Sequence, residues 1–143
     1  IVVLAKDQYK PMSQFRSIGT ILGFTPTRYW SESIKTGQVE LVEDSSPKVL
    51  ANMLEKGFVD GLDLTYSTVR YQMEELGKQD TTIAISATVP IYQLAYSLST
   101  KKHMQVIDQF NEFLKHHYQY HDEFSQRYQV VSRKNCQAMA TSS

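Results

Sequence analysis

Apolar and polar positions along this chain change period several times, and each change marks an element. The opening run Ile1–Lys6 is apolar and reads as a strand. Residues 11–16 form a linker, and Ser17–Leu22, short and β-branched, is a second strand. Gly23 and Phe24 make a turn. Thr25 is placed to cap a helix with Pro26 in the favoured first position. Phe24 before the cap and Tyr29 four positions inside match a hydrophobic staple, Trp30 and Ile34 share a face, and Gly37 stops the helix.

The pattern then repeats. Gln38–Glu43 alternates as a strand. Ser46 caps and Pro47 starts a helix whose stripe is Val49, Leu50, Met53 and Leu54, and Gly57 ends it. Phe58–Leu64 is the next strand. Ser67 caps a third helix carrying Val69, Met73 and Leu76, closed by Gly77. Thr82–Val89 and Tyr92–Ser99 read as two strands broken at Pro90. A long amphipathic helix follows over 101–117, with Met104, Ile107, Phe110, Phe113 and Leu114 on its buried side. Phe124, Tyr128 and Val130 predict one or two further helical turns, and 132–143 is a polar, frayed end. This order predicts an α/β fold, a three-layer sandwich with a mostly parallel sheet whose right-handed crossovers put helices on both faces.

With 143 residues, 41% hydrophobic and 21% charged, the chain has the length and balance of one globular domain with a proper core. Fifteen basic and fifteen acidic side chains cancel, and no basic stripe with interleaved aromatics is present, so nucleic acid is not an expected partner. The longest apolar runs, Ile1–Ala5 and Ile18–Phe24, fall far short of the roughly 20 residues of a membrane span. No signal peptide is visible. Because the chain opens directly on a strand pattern, it is expected to be a piece of something longer. Cys136 is the single cysteine, so it builds no intrachain disulfide and no cysteine metal site.

Candidate chemistry is sparse. His117 and His121 are four apart, but no His-Glu-x-x-His motif is present, and with His116 they read as a solvated helix end rather than a metal site. Glu74 and Glu75 read as a solvated face. There is no nucleophile elbow, phosphate loop or dinucleotide fingerprint: Gly19 and Gly23 do not make a Gly-x-Gly-x-x-Gly. No catalytic residue, metal or cofactor is assigned, and the chain is not expected to be an enzyme.

Two stretches carry a resemblance. Ser17-Ile18-Gly19-Thr20-Ile21-Leu22-Gly23-Phe24-Thr25-Pro26-Thr27-Arg28-Tyr29 is similar to the strand, turn and helix that open the second lobe of family 3 extracellular solute-binding proteins. Val49 to Gly61, ending Glu55-Lys56-Gly57-Phe58-Val59-Asp60-Gly61, resembles that family's helix followed by Leu-x-x-Gly-x-Val-Asp-Ala. The run Tyr92–Ser99 looks like its strand returning to the first lobe, and Asp122–Tyr128 like its closing helix.

The resemblance covers about residues 1–130 and implies a periplasmic-binding-protein-like lobe (1–99) with hinge strands at Ile1–Lys6 and Tyr92–Ser99, C-terminal helices (100–130) and a polar tail (131–143). It implies periplasmic capture of a small polar, amino-acid-like solute by two-lobe closure, for ABC-type uptake through a membrane permease. The clamping first lobe would precede Ile1, so the chain alone is expected to bind weakly or not at all. Exposed lobe surface would favour self-association, with strand exchange through Ile1–Ala5 as a route.

The ligand-binding residues implied are Gly23, Phe24 and Thr25 at a helix start, where free amides and the dipole favour a carboxylate. Phe24 stands where the family has Thr or Ser. Thr65 takes the place of the aspartate that pairs with a ligand ammonium, Asp63 faces the same side, and Tyr66 could stack on the ligand. Asp60 is expected to stabilise the strand–loop junction. The alternatives are a sensing domain of the same fold joined to a signalling domain, and a degenerate structural domain with no small-molecule ligand.

Overall fold

The period-two stretches assemble into one five-stranded sheet. The computed structural model describes residues 1–79, 82–91, 99–128 and 130. Its strands are β1 (Val2–Leu4), β2 (Ser17–Ile21), β3 (Glu40–Asp44), β4 (Gly61–Leu62) and β5 (Ile83–Ile85), and its helices α1 (Ser31–Lys35), α2 (Pro47–Glu55), α3 (Tyr66–Glu75), α4 (Met104–His116) and α5 (Tyr118–Arg127). The sheet order is β3-β2-β4-β1-β5. β2 pairs in parallel with both β3 and β4, and β1 runs antiparallel to β4 and β5. The fold is α/β with a mixed sheet in which four strands share one direction and β1 opposes them. The described residues divide into two compact units, one of residues 1–91 and one within 92–132. The strand expected at Tyr92–Ser99 falls almost wholly on 92–98, outside the described residues, as does the tail with Cys136.

Register assigns the two faces. Val2 lies opposite both Leu62 and Ile85, Leu4 opposite Ile83, and Gly19 opposite Leu62, so these residues share a face. Leu50 and Leu54 of α2 and Val69 and Met73 of α3 are buried on that side. Gly19 is what lets α2 come close: a Cβ there would lie 2.6 Å from Leu62 Cδ2 and 3.2 Å from Leu50 Cδ2. On the other face Val3 and Ile18 meet Phe15, Trp30, Val39 and Val89, with Ile34 of α1 packed alongside. The Phe15 and Trp30 rings lie 5.4 Å apart, and Trp30 is fully buried.

Local signals place some elements and not others. α2 begins as its sequence says: the Ser46 hydroxyl accepts the Val49 N–H (3.4 Å), and Pro47 stands in the first turn. The helix expected from Thr25 and Pro26 instead begins at Ser31, and no staple forms, because Phe24 is exposed. Two tertiary contacts override the local cap: the Asp63 carboxylate, just after β4, takes the Thr27 N–H, and Trp30 is drawn into the core. α3 starts at Tyr66, one residue before Ser67, with Thr65 extended at the cap and its hydroxyl 2.7 Å from that of Thr68. β4 and β5 are shorter than predicted, since the central partner β1 is only three residues long. The edge strand β3 carries Glu40, Glu43 and Asp44.

In the second unit, α4 and α5 meet at His117, whose ring stacks on Phe113 (4.4 Å) and Tyr120 (5.6 Å). In their Nδ1–H tautomers, His116 and His117 donate to the carbonyls of Glu112 (2.8 Å) and Phe113 (3.0 Å) in the last helical turn, and the Phe113 carbonyl also accepts the His117 backbone N–H. Met104, Phe110, Phe113 and Leu114, expected on a buried side, are exposed. Phe110, Phe113 and Leu114 line an open apolar groove with Phe124 of α5 and Tyr128 just after it, because two helices offer each other too little surface to cover both stripes.

Candidate functional site

β2 is the first strand of the parallel set. The chain leaves it for β3 on one side and later returns to β4 on the other. Such a reversal opens a crevice outside the carboxyl ends of the two strands, the place where open α/β sheets hold ligands. Residues 22–27 follow β2 at this end, and Asp63 follows β4.

The loop after β2 is held by backbone and carboxylate contacts. Leu22 N–H donates to Asp44 O (3.0 Å) and Phe24 N–H to Ile21 O (2.9 Å). Gly23, with φ at 83°, donates its N–H to Glu43 Oε1 (3.2 Å); a side chain would strain this backbone. Leu22 and Phe24 project into solvent, Phe24 at 57% exposure. Across the crevice, Asp63 continues the ladder with its N–H on Gly19 O (2.8 Å), and its Oδ2 accepts the Thr27 N–H at 2.6 Å. Thr20, buried behind them, directs its hydroxyl toward Asp63 O at 3.5 Å. Thr27 Oγ1 and Trp30 Nε1 are buried and have no hydrogen-bond partner among the described residues. The Trp30 N–H closes their turn on Thr27 O (3.0 Å).

The structure therefore brings Gly23, Phe24, Thr25 and Asp63 to one end of two adjacent strands. Thr65 lies just beyond, engaged as the α3 cap. Tyr66 is only 8% exposed, so Phe24 and not Tyr66 offers an aromatic surface to solvent here. The helix start expected to present amides at Gly23–Thr25 is not formed there. Glu43, Thr27 and Trp30 were missed by sequence reasoning. Glu43 carried a readable signal, an acidic residue closing the strand beside β2, whereas Thr27 and Trp30 were assigned to a helix interior and carried none.

Asp60 belongs to the opposite pole. It accepts from Lys10 Nζ, from Arg16 N–H (2.6 Å) and from Ser17 N–H (3.0 Å). Its own N–H returns to Ser17 O (3.1 Å). Partial burial pushes its carboxyl up, but the Lys10 ammonium and the two backbone donors outweigh this and hold it below its ordinary value. Asp60 thus pins the start of β2 to the start of β4, the junction role its position suggested.

Among the described residues no three His, Cys, Asp or Glu side chains come together as a metal-holding group, and no helix is long and apolar enough to cross a membrane. No family model matches the chain, and neither a curated protein nor a solved structure does.

Proposed function

We propose that residues 1–91 form the ligand-holding lobe of a periplasmic solute-binding protein, a three-layer periplasmic-binding-protein-like lobe that captures a small polar, amino-acid-like solute for ABC-type uptake. The observation carrying this reading is the crevice at the β2/β4 reversal, flanked by the exposed Phe24-Thr25 loop and by Asp63. The sequence resemblance over Ser17–Tyr29 and Val49–Gly61 supports it, since both segments converge on these two strands. Gly23 and Thr25 supply backbone and hydroxyl groups, Phe24 an apolar surface, and Asp63 and Thr65 polar contacts. A companion lobe would cover the crevice, closure being favoured by solute contacts made from both sides.

One lobe offers half of those contacts, so its binding is weak and needs a method that detects weak binding. Amide chemical shifts of the labelled chain, titrated with the common amino acids, are expected to move at 22–25, at Thr27 and at 63–66, and to stay fixed around Asp60 and Arg16. Shifts confined to other surfaces, or none with any solute, would overturn the proposal.

A further inference from the structure

The loop over the crevice holds an unmatched set of donors. Thr27 N–H is satisfied by Asp63 Oδ2 at 2.6 Å, while the Thr27 hydroxyl and the Trp30 indole N–H, both buried, have no partner among the described residues. The Trp30 side chain is 0% exposed. Buried donors without partners are costly, and an indole N–H can only donate. What these two groups lack is an acceptor, while the Thr27 N–H between them is taken by a carboxylate reaching across 36 positions of sequence.

Asp63 is tethered to β4 through its own N–H on Gly19 O, which limits where its carboxylate can sit. Thr27 Oγ1 belongs to the same residue as that amide, yet the tethered carboxylate makes no hydrogen bond to it. A free carboxylate has no tether and can accept from the amide and the hydroxyl together.

We infer that Asp63 is a built-in competitor, its carboxylate occupying the Thr27 amide that the carboxylate of a bound solute takes over. The inference rests on the crevice reading above and adds to it a means of keeping the empty site closed. In the solute-free lobe Asp63 latches the 22–30 loop to β4. Binding exchanges one carboxylate for another, so affinity reports the difference between them and not the full strength of the new contacts.

The test is an acetate titration of wild type, Asp63→Ala and Asp63→Asn, followed at the Thr27 amide by NMR. A charge-assisted hydrogen bond removed from competition predicts acetate affinity about 10-fold or more higher in Asp63→Ala than in wild type. Asp63→Asn, which keeps the shape and one acceptor, is expected to show a smaller gain in the same direction, and it keeps the test decisive if Asp63→Ala does not fold. Adding Thr27→Val to either variant is expected to reduce the gain, since it removes the hydroxyl and keeps the freed amide. Equal acetate affinity in wild type and both variants, while amino acids still shift 22–25, Thr27 and 63–66, would overturn the competitor and leave the crevice standing. Silence of these amides toward acetate and every amino acid, in wild type and variants alike, would overturn both.

Discussion

Asp60 and Asp63 sit three residues apart at the two ends of β4, and their surroundings give them different work. Asp60 fastens the strand starts with three donors, one of them charged. Replacing it with Ala leaves two backbone N–H groups short of their acceptor and is expected to cost about 1–3 kcal/mol in urea unfolding. Its folded pKa lies below the ordinary 3.8, so its contribution is complete above that value and is lost as pH falls through the lower folded one. The stability gap between wild type and Asp60→Asn is thus expected to be widest near about pH 7 and to narrow below about pH 4; a gap constant down to about pH 3 would contradict this. Gly19 is governed by space and not by charge. Gly19→Ala places a methyl group 2.6 Å from Leu62 Cδ2 and is expected to cost about 1–3 kcal/mol. Combined with Leu62→Ala, the loss should be smaller than the sum of the two single losses, because the shortened side chain vacates the contested volume. The role of Asp60 was legible in the sequence from its place near the start of the predicted strand Phe58–Leu64. That of Asp63 was legible only in part, because its partner Thr27 belongs to a loop whose path no local signal gives.

At the scale of elements, agreement between local and tertiary demands decided what could be read. α2 has a cap, a proline in its first turn and a four-three stripe, and all three serve the same packing, so its predicted and observed starts coincide. Ser46→Ala is expected to cost about 1 kcal/mol, read as a lower unfolding midpoint in urea. α1 had a similar set of signals at Thr25, Pro26 and Tyr29, but Trp30 was worth more to the core than a regular helix was to the loop. Trp30→Ala is expected to destabilise the unit by about 3–5 kcal/mol, and Trp30→Phe by less, since it removes the unpaired N–H along with some volume. As Trp30 is the single tryptophan, its blue-shifted emission should move to the red in one cooperative transition of this unit. The apolar stripe of α4 was readable as a stripe, but what it meets was not, because periodicity specifies a face and not its partner.

For the molecule, the alternation of strands and helices was enough to predict an α/β sheet, and the resemblance pointed to the β2 and β4 ends. Strand order and the reversed direction of β1 were not legible, because they depend on pairings between segments as far apart as Val2 and Ile85. That pairing bears on the expectation of strand exchange through Ile1–Ala5: β1 is not a loose edge but lies between β4 and β5, with Val2 and Val3 buried. Its release would break the sheet in two. Amides of Val3, Ile18 and Gly19 are therefore expected to exchange hydrogen only through global unfolding of this unit, and those of the edge strands β3 and β5 through smaller openings; rapid exchange at Val3 would contradict this placement.

The border formed by β3 has a further effect. An unpaired strand invites a neighbour to add itself to the sheet, and growth of that kind ends in fibrils. Here the invitation is withdrawn by Glu40, Glu43 and Asp44, which would bring three like charges from each molecule together along any shared seam. The same strand that borders β2 on its outer side thus guards the sheet's edge, and neutralising all three acids is expected to leave the sheet paired while opening it to edge-to-edge association.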